Sequence, residues 1–191
     1  MHLNNPCLCE EPKATKQSFL RDCFASLAMT LSIFISPLLA WADPGVFRLS
    51  STAFEDNASI PKDYTCDGRN INPPLELKNI PEDTKSVALT VSDPDAPSGR
   101  WSHWVTYDIS PDSVDILENS SPGTKGVNDF GKYGYGGPCP PGGKLHHYIF
   151  RAYALDADLK IKEGASISDI EKIVEGHIIA QSKLVGTYEK S

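Results

Sequence analysis

The sequence has no cluster of basic residues and carries a formal net charge of −7 at pH 7. Binding nucleic acid or anionic membranes through a charged surface requires clustered cations, so we expect neither partner. A Gly-x-Ser-x-Gly motif is also missing, which excludes the usual nucleophile turn of a serine hydrolase. There is no repeat, linker or low-complexity segment. The 191 residues, 40% of them hydrophobic, are therefore expected to contain one globular domain.

Cysteine is scarce, and three of the five cysteines lie in an N-terminal segment of distinct composition. Three basic residues precede an uncharged run from Cys23 to Trp41, and Ala40-Trp-Ala42 supplies small residues at the two positions that a signal peptidase reads. This order predicts a cleaved signal peptide over residues 1–42, the alternative being a retained membrane anchor. We expect an exported domain over residues 43–191, in the periplasm or secreted beyond it.

The other two cysteines, Cys66 and Cys139, each lie in a segment rich in turn-forming residues. An even pair of cysteines in an exported domain is more often bridged than free. We expect a disulfide that stiffens the loop around Cys139. The alternative is two separate buried thiols that pack as small hydrophobic side chains.

Short strands between turn signals dominate the domain. Residues 85–91, 103–109 and 145–155 alternate in polarity, as half-buried strands do, and further strands are expected at 46–50 and 183–188. In the third of these segments, the alternation places His146 and Tyr148 on one face of the sheet and His147 on the other. Strict alternation would likewise separate His103 from Trp104.

One stretch near the C-terminus predicts a helix. Ser168 and Glu171 have the spacing of a capping box, and an apolar stripe at helical spacing runs from Ile170 through His177 to Ile178. Many strands, frequent Gly and Pro, and a single helix predict a mainly β fold, an antiparallel two-sheet sandwich.

Two blocks join rigid turns to strands that bear a histidine. Ser92-Asp-Pro-Asp-Ala-Pro97 runs into Trp101-Ser-His-Trp104, and Gly136-Gly-Pro-Cys-Pro-Pro-Gly-Gly143 runs into His146-His-Tyr148. Such turns hold backbone N–H groups near side chains that project from one sheet face. We expect them to form a small pocket for an anion, with phosphate as the expected ligand.

The same blocks resemble the signatures of the phosphatidylethanolamine-binding protein family, also called the Raf kinase inhibitor protein family. Tyr64-Thr-Cys-Asp-Gly68, Asn128-Asp-Phe-Gly131 and Leu184-Val-Gly-Thr-Tyr188 make the chain most similar to the bacterial branch. The resemblance implies a two-sheet antiparallel β-sandwich with a pocket for phosphate or phosphorylated head groups. It also suggests a homodimer.

Site residues follow from the resemblance where the letters agree. It implies an acidic pair at the pocket edge, a Trp and a His on the next strand, a His and a Tyr on the opposite wall, and a loop over the anion. In this chain these are Asp93, Asp95, Trp101, His103, His146, Tyr148, Gly137, Pro138, Pro140 and Pro141. Because carboxylates oppose an anion, we expect the two aspartates to orient the histidines or an ammonium group rather than touch phosphate.

These residues predict a non-catalytic protein without a cofactor or a metal, whose partner is a phosphorylated small molecule or another anion. Three alternatives stay open. Asp93, His103 and His146 can in principle hold a divalent metal. Two histidines can in principle hydrolyse a phosphoester. The third alternative is an inhibitor or signalling protein whose target is a protease or a kinase.

Overall fold

The computed structural model describes residues 45–113 and 115–190. The predicted signal peptide and its cleavage point before Asp43 lie outside the described residues. Among the described residues, no helix has the length and apolar character needed to cross a membrane.

Among the described residues, two β-sheets, one α-helix and a single turn of 3-10 helix at Lys62–Tyr64 form the domain. The larger sheet has six strands, in the spatial order β2 (Ala58–Ser59), β9 (Ile178–Glu189), β8 (Leu145–Leu155), β4 (Ser86–Asp93), β5 (Trp101–Ile109) and β7 (Thr124–Lys125). The smaller sheet has the order β1 (Arg48–Ser50), β3 (Leu75–Lys78) and β6 (Asp115–Ile116), and the helix is α1 (Ile167–Val174). The predicted mainly β sandwich with a helix near the C-terminus is thus confirmed.

The pairing of strands is antiparallel with one exception. β2 runs parallel to β9 at the edge of the larger sheet, where Ala58 pairs with Gly186. Gly186 has no room for a side chain there, because a Cβ atom would lie 2.5 Å from the Ile60 side chain. The exception is confined to a strand of two residues and leaves the sandwich unchanged.

The larger sheet is buried on both faces. Its inner face packs against the smaller sheet and includes Leu89, Phe150 and Ala152, while Val105 and Tyr153 belong to a second cluster that α1 covers. Strand β4 lies at the centre, so seven of its eight residues are buried. Each fully buried aliphatic side chain in these clusters contributes roughly 1.5–3 kcal/mol of hydrophobic stabilisation.

Strand β8 follows the predicted alternation, whereas β5 does not. In β5, Val91 pairs with Trp104 but Ser92 pairs with Ser102, so His103 is an extra residue in a β-bulge. The carbonyl of His103 accepts a hydrogen bond from Gly136 N at 2.8 Å instead of continuing the ladder. The bulge brings the side chains of His103 and Trp104 to the same side, which corrects the strict alternation expected from the sequence.

The bulge also moves the two tryptophans of this strand onto one face. Trp101 pairs with Asp93 and Trp104 with Val91, and alternate residues of β4 share a face. Trp104 is core, with 1% of its surface exposed, whereas Trp101 is only partly buried.

The capping box of α1 begins two residues earlier than the sequence suggested. Ser166 is the N-cap: its hydroxyl accepts a hydrogen bond from Asp169 N, and the Asp169 carboxylate accepts one from Ser166 N. This register buries Ile167, which the predicted one would have left out of the helix. Glu171 is instead paired with Arg100 at 2.8 Å. The helix ends before Gly176, so His177 lies outside it, is half-exposed, and is not part of an apolar stripe.

Candidate functional site

A cavity of about 260 Å³ opens at one end of the larger sheet, where β4 ends and β5 and β8 begin. We call it the main cavity. Its polar lining consists of Asp93, Ser98, His103 and His146. Its other lining residues are Ala96, Pro97, Trp101, Phe130, Cys139, Pro140 and Pro141. The main cavity therefore has a small polar part, three of whose groups are titratable, within mostly apolar walls.

His146 and Asp93 form a buried hydrogen-bonded pair. The distance from His146 Nδ1 to Asp93 Oδ2 is 2.7 Å, and both side chains are less than 5% exposed. Because the carboxylate can only accept, Nδ1 carries the proton and Nε2 is the ring nitrogen left for a ligand. The second oxygen of Asp93 accepts a hydrogen bond from Asp95 N at 2.8 Å. Asp93 thus orients the histidine, as expected, with both oxygens already engaged.

His103 is held in the same tautomer by a different partner. Its Nδ1 lies 2.7 Å from the carbonyl oxygen of Gly136, which can only accept a hydrogen bond. Burial lowers the pKa of His103, and the Gly136 carbonyl and the Asp93 charge offset this effect in part. His103 is therefore mainly neutral at neutral pH. Among the described residues, no hydrogen bond engages the Nε2 atom of either histidine.

The ring of Tyr148 packs against the ring of His103. The two rings meet edge to face with their centroids 5.1 Å apart. Tyr148 is fully buried and does not line the main cavity. Burial raises the pKa of its phenol, and the nearby charge of Asp93 adds to this effect. Within the described part of the chain, its hydroxyl group has no hydrogen-bond partner.

Asp95 lies outside the main cavity, although the resemblance implied a place at its edge. Its Oδ2 accepts two hydrogen bonds from His147, one from the backbone N and one from Nδ1, both at 2.8 Å. The side-chain hydrogen bond from His147 lowers the pKa of Asp95. Asp95 therefore ties the turn between β4 and β5 to β8. That turn carries the lining residues Ala96, Pro97 and Ser98.

The loop of residues 136–143, which we call the pocket loop, forms the opposite wall. Its first part is fixed by backbone atoms: Gly136 N donates to the His103 carbonyl, and Gly137 N donates to Asn70 Oδ1. A Cβ atom on Gly137 would lie 2.5 Å from a backbone oxygen, so only glycine fits there. Gly137 and Pro138 hold the loop in place without lining the main cavity, which Pro140 and Pro141 do line.

The predicted disulfide is present. Cys66 and Cys139 are bridged, with their Cα atoms 5.4 Å apart, and Cys66 N donates a hydrogen bond to the Pro138 carbonyl at 3.0 Å. Cys139 itself lines the main cavity. The bridge therefore fastens the pocket loop to the segment around Cys66, as the sequence suggested.

Phe130 is the main lining residue that sequence reasoning missed. Its ring packs edge-on against Trp101 and His103, with centroid distances of 5.5 and 5.3 Å. Asn128 positions it, because Asn128 Oδ1 accepts hydrogen bonds from the backbone N of Phe130 and of Lys132. The motif Asn128-Asp-Phe-Gly131 signals a turn, but only the fold brings that turn to the main cavity.

The arrangement offers a ligand two imidazole Nε2 atoms within apolar walls. A neutral Nε2 accepts a hydrogen bond, and a protonated one donates a charge-assisted hydrogen bond. Across residues 45–113 and 115–190, no group of three or more His, Cys, Asp or Glu side chains is arranged to hold a metal ion.

Comparison with known proteins gives a consistent result. The sequence profile described as "Phosphatidylethanolamine-binding protein" matches residues 50–189. A UPF0098 protein of Methanothermobacter thermautotrophicus is 46% identical over 150 residues, which are 75% of this chain and 99% of the relative. A UPF0098 protein of Aquifex aeolicus is 41% identical over 167 residues, covering 83% of this chain and 98% of the relative.

Two solved structures are similar as well. A putative phosphatidylethanolamine-binding protein homologue of Chlamydia trachomatis superposes with a TM-score of 0.74 at 40% identity, covering 77% of this chain and 99% of the other. Escherichia coli YbcL, described as a new member of the mammalian family of these proteins, gives a TM-score of 0.71 at 30% identity, covering 76% and 99%. The similarity extends over nearly the whole of each solved chain.

Proposed function

The chain belongs to the phosphatidylethanolamine-binding protein family, and we propose that it is an exported, non-catalytic protein whose main cavity binds phosphate or a phosphorylated head group. Family membership supports a small binding protein. The observation that carries the finer proposal is the pair of histidines lining one cavity, each with Nδ1 already engaged and Nε2 left for a guest.

The protonation states of phosphate and of the two histidines are complementary, which favours phosphate as the ligand. A phosphate monoester has a second pKa of about 6, so it binds either as a donor of its own P–OH proton or as an acceptor from a protonated histidine. In both cases one proton lies between the phosphate and an imidazole. Because His103 is mainly neutral when the site is empty, binding is expected to take up a proton from solution. Affinity should therefore increase as the pH falls from about 8 to about 6.

The apolar walls suit the organic part of the ligand. Pro140 and Pro141 lie on one wall, and Pro97, Trp101 and Phe130 line other parts of the main cavity. Such surfaces exclude water around a phosphate and strengthen its hydrogen bonds. A head group or another small organic substituent can contact these rings while its phosphate reaches the histidines.

A binding role rather than a catalytic one fits the groups in the cavity. Ser98 is the only serine or threonine in the lining, and among the described residues no hydrogen bond joins it to His103 or His146. A serine nucleophile needs such contact with a base. Turnover of a phosphoester, if it were observed, would contradict the non-catalytic part of the proposal.

Export is supported by the disulfide and by the predicted signal peptide. Cysteines remain bridged in oxidising compartments, whereas the cytosol keeps them reduced. We therefore propose that the protein acts in the periplasm or outside the cell. Detection of the processed chain, beginning at Asp43, in a periplasmic fraction would test this placement.

Calorimetric titration with inorganic phosphate and with phosphoethanolamine tests the binding proposal. We expect His103→Ala and His146→Ala each to weaken binding roughly tenfold or more, because each removes a hydrogen bond to a charged group. His177→Ala is the matched control, since His177 also donates Nδ1–H to an aspartate, at 2.8 Å, but does not line the main cavity. Unchanged affinity after both cavity substitutions would show that the proposal is wrong.

A further inference from the structure

We propose that the Cys66–Cys139 bridge is a thiol–disulfide exchange site through which an external dithiol loosens the wall of the main cavity and lowers its affinity for ligand. This inference rests on the proposed binding function for its effect on affinity. The exchange itself, and the loosening of the wall, can be measured without any ligand.

The bridge separates two cavities. Cys139 lines the main cavity and also a neighbouring side cavity of about 110 Å³, which Cys66 lines together with Asn70 and Gly137. Cys139 is exposed and Cys66 is half-buried. A disulfide buried in a core would be protected from a thiolate, whereas one sulfur of this bridge is within reach of solvent.

The disulfide is also the strongest interaction that holds the part of the pocket loop lining the main cavity. Backbone hydrogen bonds fix residues 136–138, and Gly143 N donates to the Lys190 carbonyl at a longer distance of 3.3 Å. Between these points, the hydrogen bonds of the described residues include only a 3.9 Å contact from Lys190 Nζ to Cys139 Sγ. Apart from the packing of the buried Pro140, the position of Pro140 and Pro141 therefore depends on the covalent bond at Cys139.

A cation lies beside the sulfur atoms. Lys190 Nζ is 3.9 Å from Sγ of both cysteines and 3.6 Å from Asp67 Oδ1. Asp67 in turn accepts a hydrogen bond from the Tyr188 hydroxyl at 2.7 Å. A nearby ammonium group stabilises a thiolate, and a more stable thiolate is a better leaving group in disulfide exchange.

The exchange proceeds in two balanced steps. A thiolate of the dithiol attacks Sγ of the exposed Cys139, the S–S bond breaks, and the electron pair leaves on Cys66 Sγ beside Lys190. The second thiolate of the dithiol then attacks its own partner sulfur in the mixed disulfide and releases Cys139. The dithiol is oxidised to a disulfide, and the two cysteines receive its two electrons and two protons. Dithiols of the Cys-x-x-Cys class have the required reactivity.

Opening the disulfide should leave the wall of the main cavity that the pocket loop forms less ordered. Once the bridge is open, a ligand must immobilise Pro140 and Pro141 when it binds, and this ordering lowers the affinity. The histidines are not affected directly, because Gly136 still holds His103 and Asp93 still holds His146. We expect the reduced protein to bind phosphoethanolamine roughly tenfold more weakly than the oxidised protein.

The test uses the full chain in oxidised form and after treatment with dithiothreitol. Without ligand, hydrogen exchange at the amide of Gly143, which donates to the Lys190 carbonyl, should speed up on reduction while the amides of β4 and β8 stay protected. Lys190→Met should slow the reaction with dithiothreitol, because the departing thiolate loses its cation. With phosphoethanolamine, reduction should weaken binding, and a Cys66→Ser/Cys139→Ser double variant should bind weakly whether or not reductant is present.

The outcomes separate this inference from the proposed function. If the oxidised protein does not bind phosphoethanolamine or phosphate, the proposed function fails. The hydrogen-exchange result and the rate of reaction with dithiothreitol then decide alone whether the bridge is an exchange site. If oxidised and reduced proteins bind equally well, control of affinity by the bridge is wrong. Unfolding of the whole domain on reduction, or no reaction of the bridge with dithiothreitol, would also overturn the inference.

Discussion

His146 and His147 follow one another on β8. His146 donates Nδ1–H to Asp93, the last residue of β4, at 2.7 Å, and His147 donates Nδ1–H to Asp95, in the turn that follows, at 2.8 Å. His146 is 3% exposed and lines the main cavity, whereas His147 is 48% exposed and does not. The same chemical pair thus occurs on the two faces of one strand. A His–Asp pair by itself does not make a binding site. Only the pair on the face covered by the pocket loop and by the turn that carries Phe130 lines a cavity.

The largest expected effect is the difference in stability between two single variants, each of which removes the aspartate on one face of β8. Asp93→Ala leaves the buried His146 Nδ1–H and the backbone N of Asp95 without their acceptor, and we expect a loss of about 3 kcal/mol in the free energy of unfolding. Asp95→Ala breaks an exposed pair whose groups can turn to water, so the loss should be below about 1 kcal/mol. Urea denaturation at neutral pH measures both values. Equal losses would contradict the contrast.

Low pH should lower the stability of the domain through His103, on the inner face of the larger sheet. Burial lowers the pKa of this histidine in the folded protein, so the folded state favours the neutral ring. As the pH falls below about 6.5, the unfolded chain takes up a proton that the folded chain resists, and stability is lost until the lower folded pKa has been passed. His103→Gln should remove this part of the acid sensitivity, measured as urea midpoints between about pH 7.5 and about pH 5.

His177→Gln is the control for that measurement, since His177 is half-exposed and pairs with an aspartate outside the main cavity. Its substitution should leave the acid-dependent loss of stability nearly as it is in the wild-type protein. If His103→Gln and His177→Gln behave alike, the assignment of the acid effect to His103 is wrong.

The smallest effect should come from two tyrosines near the site. Tyr135 OH donates a hydrogen bond to the Tyr64 carbonyl at 2.7 Å, so Tyr135→Phe should cost about 1 kcal/mol. The buried hydroxyl of Tyr148 has no partner among the described residues, and Tyr148→Phe should therefore be neutral or slightly stabilising. Thermal unfolding of the two variants checks this order. A larger loss for Tyr148→Phe would mean that its hydroxyl group has a partner in solution.

The sequence predicted the β8 half of the site well, because a regular strand obeys period-two alternation and places His146 and His147 on opposite faces. It failed for β5, because a bulge depends on partners distant in sequence: the His103 carbonyl bonds to Gly136, 33 residues away, rather than to the next ladder position. Phe130 was missed for a similar reason. Its turn is readable from Asn128, but its packing against Trp101 and His103 is a property of the fold.

Residues expected from the family motif divided into two groups in the structure. Asp93, Trp101, His103, Pro140, Pro141 and His146 line the main cavity. Asp95, Gly137, Pro138 and Tyr148 do not line it. Tyr148 packs against His103, and the other three fix the turn and the loop that carry lining residues. A motif names residues that occur together, but it does not separate those that touch a ligand from those that position the others.

The most direct test of the proposed binding site is a phosphate titration of the full chain followed by the imidazole nitrogen resonances of its histidines at about pH 6, where phosphate and imidazole exchange protons readily. The account predicts saturable shifts at Nε2 of His103 and His146, while the resonances of His147 and His177 stay in place. Shifts confined to His147 or His177, or no shift at His103 and His146 under saturating phosphate, would contradict it.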